Sequence, residues 1–152
     1  MTTTSLVIRP AADTDQPRIT EMIREAKIFP FGLKWQRFLI AEENGTAVGI
    51  VQLKTHQWGA KELGSLAVIP SRQKEGIAAE LIQALLAPES GVVYLTCHIS
   101  LEPFYERFGF RRLGWRDLPL DFKGINLFLI LISPFAQIAT KGNFHIIVMG
   151  RR

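Results

Sequence analysis

One stretch constrains the fold of this chain more than any other: Leu63-Gly-Ser-Leu-Ala-Val-Ile-Pro70-Ser-Arg-Gln-Lys-Glu-Gly76-Ile-Ala78-Ala-Glu-Leu-Ile-Gln-Ala-Leu-Leu86. It reads as a buried strand, a short basic loop with one glycine, and an amphipathic helix. After Gly76 the apolar residues Ala78, Leu81, Ile82, Leu85 and Leu86 fall at helical spacing. A loop that ends at a helix N-terminus presents unpaired backbone N–H groups, and the helix dipole adds partial positive charge there. That arrangement suits a phosphate or pyrophosphate, with Arg72 and Lys74 as further cations beside it. Gly76 lets the backbone approach an anion with no Cβ in the way. The stretch predicts a phosphorylated ligand.

Neither common nucleotide loop is present, neither Gly-x-x-x-x-Gly-Lys-Ser/Thr nor Gly-x-Gly-x-x-Gly. What stands here is Gln73-Lys-Glu-Gly76-Ile-Ala78, which resembles the Gln/Arg-x-x-Gly-x-Gly/Ala signature of the GCN5-related N-acetyltransferase (GNAT) superfamily. The strand ending Leu66-Ala-Val-Ile-Pro70 before the loop and the aliphatic helix after it are in family register. The resemblance implies that backbone at Leu66, Ala67 and Val68, with the loop Arg72, Gln73, Lys74, Glu75, Gly76, Ile77 and Ala78, holds acetyl-coenzyme A as co-substrate. On the loop alone, an ordinary strand–loop–helix connection with a solvated charge cluster stays open.

A second segment breaks the tie. Leu101-Glu-Pro-Phe104-Tyr105-Glu-Arg-Phe108-Gly109-Phe110 follows the strand-like Val92–Cys97, and resembles the aromatic segment near the end of the acetyltransferase domain. Pro103 can open a short helix, Phe104 and Phe108 lie four apart on one face, and Gly109 is a natural stop. The three phenylalanines read as an aromatic core cluster. Tyr105 differs, because a buried phenol needs a partner, and the family places that hydroxyl beside the thioester sulfur. The resemblance makes Tyr105 the acid that protonates the departing thiolate, and gives the developing oxyanion a backbone N–H near Leu66 to Val68. It covers roughly residues 5 to 114.

A general base is less defined. Glu62 precedes Leu66 by four residues, where some family members carry a catalytic glutamate, and strand alternation places Glu62, Gly64, Leu66 and Val68 on one face. The alternative is a solvated glutamate beside Lys61. His98 stands where many members carry an asparagine, seven residues before the tyrosine. It is a departure, read either as a second base or as a helix-entry histidine with satisfied hydrogen bonds. His56 and His145 lack partners at metal-ligand spacing and read as structural or exposed. Cys97 reads as a small buried residue, and no histidine–cysteine cluster suggests a metal.

The resemblance and the pattern of elements imply an α/β (α+β) fold. It has a mixed, mostly antiparallel sheet, splayed between Leu63–Ile69 and Val92–Cys97 and flanked by helices. Leu6–Arg9 begins the sheet, and a helix follows with Asp13 to Asp15 as capping candidates and Pro17 in its first turn. Asn44-Gly45 between Arg37–Glu43 and Thr46–Lys54 signals a two-residue hairpin. No linker interrupts the 152 residues, so one domain spans 1–152. A single cysteine excludes a disulfide framework, and Met-Thr-Thr-Thr-Ser-Leu-Val lacks a signal peptide's apolar stretch, which predicts a cytoplasmic location. The net charge of +4 suits a polyanionic cofactor and gives no sign of nucleic acid.

Two segments bear on the acceptor. Lys27-Ile-Phe29-Pro-Phe31-Gly-Leu-Lys-Trp35 is either an apolar wall of the acceptor site or a loop packed on the sheet, and His56-Gln-Trp58-Gly is a second candidate wall. Neither names the amine. The apolar run within about 121–143, densest over 125–139, falls short of the about 20 apolar residues a spanning helix needs. A helix buried over the sheet is the plainest reading, with a lid, a homodimer surface or membrane contact as alternatives. The last strand is expected over Phe144–Met149. The sequence points to an acetyl-CoA-dependent transferase acting on a primary amine, with a small-molecule acceptor favoured. A protein or peptide acetyltransferase and a non-catalytic acyl-CoA sensor are the other function classes.

Overall fold

A computed structural model of the chain describes residues 5–143 and 145–152. Two sequence expectations fall outside those residues, the start of the chain at Met1–Thr4 and Phe144 at the head of the last strand. The elements run β1 (Leu6–Pro10), α1 (Gln16–Glu25), β2 (Phe38–Glu43), β3 (Thr46–Thr55), β4 (Lys61–Val68), α2 (Ile77–Leu86), β5 (Val93–His98), α3 (Glu102–Glu106), β6 (Arg111–Arg112), α4 (Leu120–Ala139) and β7 (Ile146–Arg151). The strands form a mixed seven-stranded sheet in the order β1-β2-β3-β4-β5-β7-β6. Contacts divide the chain into two compact units. The first comprises residues up to Lys54 with Leu63–Glu89, the second Thr55–Glu62 with Ser90–Arg152.

In the first unit β2 pairs antiparallel with β1 and with β3. The β2–β3 turn is the one the Asn44-Gly45 pair predicts, with φ of +50° and +75°. Helix α1 sets Ile19, Met22 and Ile23 against Phe38, Ile40, Ala47, Ile50 and Ala67. Helix α2 packs close upon β2 and β3: a Cβ on Gly49 would lie 3.0 Å from Ile77 and Leu81 and 3.3 Å from Ala41. The aspartates before α1 do not cap it. Asp15 instead binds Arg9 at 2.7 Å and accepts the Ala12 N–H at 2.8 Å, and the Arg9 hydrogen bond holds its carboxyl below the usual range. That carboxylate is shared between the guanidinium and the amide that heads the short 3-10 turn leading into α1.

In the second unit β5 is the centre. It pairs parallel with the head of β4 through Lys61–Val93 and Glu62–Tyr94, and antiparallel with β7 from Val93–Arg151 to His98–Ile146. The short β6 flanks β7 through Arg111–Gly150 and Arg112–Met149. Leu118, Phe122 and Val148 form a buried cluster, with Tyr94, Leu113 and Ile125 packed against it.

Helix α4 corrects the expectation of an apolar run buried over the sheet. Its first turn is inside, with Phe122 fully buried and Asp121 8% exposed. Leu127, Phe128, Ile130, Leu131, Phe135 and Ile138 are between 51% and 81% exposed. Apolar residues stand all round this helix, and a packed element covers only one stripe of it. The helix bends by 41° between Leu120–Phe128 and Ile130–Ala139. Pro134 lacks the N–H that would bond the Ile130 carbonyl, which accounts for a bend there. Among the described residues no single helix is long and apolar enough to cross a membrane.

Candidate active site

In the first unit, β4 carries an irregularity before its expected donor positions. Ser65 has φ +52°, in a strand whose other residues alternate regularly between buried and half-buried. Its hydroxyl accepts from Gln52 Nε2 at 2.5 Å, and Gln52 is fully buried with its Oε1 unpartnered among the described residues. Positive φ at a non-glycine in a strand is uncommon and turns the adjacent peptides out of the regular ladder. Leu66 and Val68 follow on the half-buried face with Glu62 and Gly64, the alternation the sequence predicts.

The loop after β4 is shaped from within. Gln73 donates through Nε2 to the Val68 carbonyl at 3.0 Å, Lys74 has φ +66° and Gly76 φ +88°. The first bond of α2 runs from the Glu80 N–H to the Gly76 carbonyl at 3.1 Å, so the N–H groups of Ile77, Ala78 and Ala79 lie beyond the helix's own pairing. A Cβ built on Gly76 meets nothing within 4 Å, so the ground above it is open. Arg72 departs from its expected place as a cation free to meet the ligand. It is paired with Glu43 and with Glu75, the latter at 2.6 Å from its Nε, and so fastens the loop to the end of β2. Lys74 stays exposed as the loop's remaining cation. A cleft of about 280 Å³ lies beside this loop, between Met22 and Glu25 of α1, with Ala26 just past its end, and Ala67, Val68 and Gln73.

The second unit holds the candidate acid and bases. Glu62 Oε2 lies 2.7 Å from His56 Nε2, and both side chains are largely buried. The His56 ring packs edge-on against Phe122, centroids 5.4 Å apart. The turn between His56 and Glu62 is held by Asp121, whose carboxylate accepts the Trp58 N–H at 3.2 Å and the Ala60 N–H at 3.1 Å. His56 is thus no isolated histidine, as its sequence neighbourhood implies, but the partner of Glu62. The missed signal is positional: β3 and β4 meet through a tight turn that sets His56 near the residue six places on.

His98 behaves as the helix-entry reading predicts. Its Nδ1 accepts the Ser100 N–H at 3.2 Å and lies 2.8 Å from the Ser100 hydroxyl, and Nε2 lies 2.9 Å from the Asn143 carbonyl. Both ring nitrogens are thus engaged in hydrogen bonds at the helix entry. Tyr105 is 8% exposed, its ring against Phe104 and Phe110. Burial, with a smaller contribution from Cys97, pushes its phenol up to about 12. Cys97 is a buried thiol, raised to about 11 by burial. The aromatic cluster is less internal than expected: Phe110 is fully buried, whereas Phe104 and Phe108 are half-exposed under the Arg107 guanidinium.

An open loop at a helix N-terminus thus precedes a buried tyrosine in an aromatic turn. The GNAT acetyltransferase domain matches residues 34–112, just over half of the chain. The chain belongs to the GNAT acetyltransferase family. N-acetylglutamate synthase from Neisseria gonorrhoeae, complexed with coenzyme A and N-acetyl-glutamate, is similar at 23% identity with a TM-score of 0.69. That match covers 97% of this chain and 35% of the synthase, so the chain spans about a third of that protein. Rv2747 from Mycobacterium tuberculosis, in complex with CoA and NLQ, is 21% identical with a TM-score of 0.71, covering 95% of this chain and 98% of that one. Ard1 from Thermoplasma volcanium is 13% identical with a TM-score of 0.66, covering 96% of each chain. No curated protein matches the chain.

Proposed function

We propose that this GNAT domain transfers the acetyl group of acetyl-CoA to the primary amine of a small molecule by direct attack. The observation that carries the reading is the Gln73–Ala78 loop, open above Gly76 at the head of α2. Acetyl-CoA supplies the thioester whose C–S bond breaks as the C–N bond forms. The amides of Gly76, Ile77 and Ala78 receive the pyrophosphate, Lys74 adds charge, and Gln73, Arg72 and Glu75 keep the loop in shape. Backbone N–H groups at Leu66 to Val68, past the turned peptide of Ser65, meet the acyl oxygen. Glu62, oriented by His56, takes the proton of the amine directly or through one water. Tyr105 donates its proton to the departing thiolate.

The test is release of free coenzyme A thiol from acetyl-CoA in the presence of a panel of small amines, with peptides as the alternative acceptors. Thiol release that depends on small amines is expected. Acetylation confined to peptides would transfer the reading to a protein acetyltransferase, and binding of acetyl-CoA without turnover on either panel would make the chain a sensor.

Gly76→Val tests the placement of the pyrophosphate. Gly76 sits at φ +88°, where a β-branched residue is strained, and its new side chain would occupy the open ground above the loop. Calorimetry on the folded variant should show acetyl-CoA affinity falling at least about tenfold, a loss of about 1.4 kcal/mol. Unchanged affinity in a protein that still melts cooperatively would put the diphosphate elsewhere.

A further inference from the structure

We infer that Arg37 and Lys54 form a carboxylate subsite, so the acceptor is an amine whose own molecule bears a carboxylate, as an amino acid does. The inference rests on the acetyltransferase reading and names its substrate class. Both residues lie in the first unit, Arg37 just before β2 and Lys54 near the end of β3, and the β2–β3 register pairs Phe38 with Gln52. Continued by one step, that register sets Arg37 opposite Leu53 with Lys54 next along the chain, so it is their common approach to the Gly32 loop, and not the strand pairing, that brings the two cations near each other. Like charges so placed repel unless an anion joins them.

Among the described residues no carboxylate is paired with either of them. Both are half-buried, and among the described residues neither side chain has a hydrogen bond or an ion pair. Arg9, Arg18, Arg72 and Arg112 of the same chain are each fastened to a carboxylate. The two unpaired cations also converge. Arg37 Nη1 lies 3.3 Å and Lys54 Cε 3.9 Å from the point where a Cβ of Gly32 would stand. Gly32 has φ +65°, which lets its loop pass close to both. From there the Lys54 ammonium reaches over β4, with Nζ 3.9 Å from the Cβ position of Gly64.

Gly64 gives the distance to the chemistry. It shares the half-buried face of β4 with Leu66, two residues on, where the reading above places the acyl oxygen. Two residues of strand span about 7 Å. An amine attacking at Leu66 with a carboxylate held over Gly64 is therefore separated from that carboxylate by one to a few carbons. A guanidinium fork and an ammonium together supply bidentate and point-charge contacts, the pairing a carboxylate accepts best.

The experiment compares kcat/KM for L-leucine with leucinamide, which tests an α-carboxylate, and for L-glutamate with L-glutamine, which tests a side-chain one. In at least one pair the acid is expected to be preferred by about 10²-fold, and Lys54→Met and Arg37→Met should each bring that ratio below about tenfold. Lys54→Arg keeps the charge and should keep most of the preference, which separates loss of the subsite from loss of the fold. No discrimination in either pair, or ratios unchanged in both methionine variants, would overturn the subsite. Turnover on none of the four compounds or on other amines counts against the acetyltransferase reading. Calorimetry of the same four ligands on the coenzyme A complex then decides the subsite separately. Tighter binding of the acids that Lys54→Met abolishes upholds it, and equal binding of acids and amides overturns it.

Discussion

Tyr105→Phe should lower kcat by about 10²–10⁴-fold while leaving acetyl-CoA affinity nearly as it was, because the substitution removes one proton donor and keeps the ring. The ring's contacts with Phe104 and Phe110 survive the change, so the folded protein should persist. With its phenol pushed up to about 12, Tyr105 holds its proton across the neutral range, as a donor to a thiolate must. The same elevation affects stability. As pH rises from about 10 to 12 the unfolded chain releases the phenolic proton and the folded chain retains it. Wild-type protein therefore loses on the order of 2–3 kcal/mol through this group in that window. The phenylalanine variant should lack that share of the alkaline loss and keep the share from Cys97. Steady-state kinetics and melting curves at several pH values check both expectations. Wild-type turnover in the variant would make Tyr105 a core residue, with the thiolate leaving unaided.

Glu62→Gln should cost about 10²–10⁴-fold in kcat/KM near neutral pH, since the amide keeps a hydrogen bond to His56 but accepts no proton. The deficit should narrow as pH rises toward the acceptor's own pKa, because more of the amine then arrives neutral. A carboxylate that serves only to hold the turn would show a pH-independent change instead. His56→Phe offers a companion. It removes the partner while retaining an aromatic ring against Phe122, and should disturb the pH–rate profile more than the melting temperature. Parallel pH–rate profiles for wild type and Glu62→Gln would remove Glu62 from the proton path.

What the sequence made legible follows from which signals are local. Asn44-Gly45 dictates its own turn, because φ of +50° and +75° suits those two residues and few others. The Gln73–Ala78 loop and α2 were readable for the same reason, since helical spacing and a glycine are written within a few residues. Arg72 shows where locality fails. Its charge alone marks a phosphate ligand, yet Glu43, distant in sequence, takes it up. His56 carries no such signal, because a lone imidazole has no periodicity, and only the meeting of β3 and β4 gives it Glu62. Helix α4 misled in the opposite direction. Its apolar composition signals burial, but burial depends on the area that neighbours offer, and Phe122 and Ile125 occupy what the buried cluster has.

The bond from Asp121 to the Trp58 and Ala60 amides gives the chain a built-in timetable. During synthesis the elements of the first unit, Gln73–Ala78 included, emerge well before Asp121, so the pyrophosphate cradle can assemble early. Two backbone donors of the turn that carries His56 toward Glu62, those of Trp58 and Ala60, lack this partner until Leu120 and the residues after it have been made and have closed a long loop. On the function proposed above, a nascent or clipped chain ending before Leu120 would therefore have the loop proposed for the acyl donor before the turn proposed to orient the base. The two halves of that proposed site are then set at different moments of the chain's emergence, and a single buried carboxylate, Asp121, marks the interval between them.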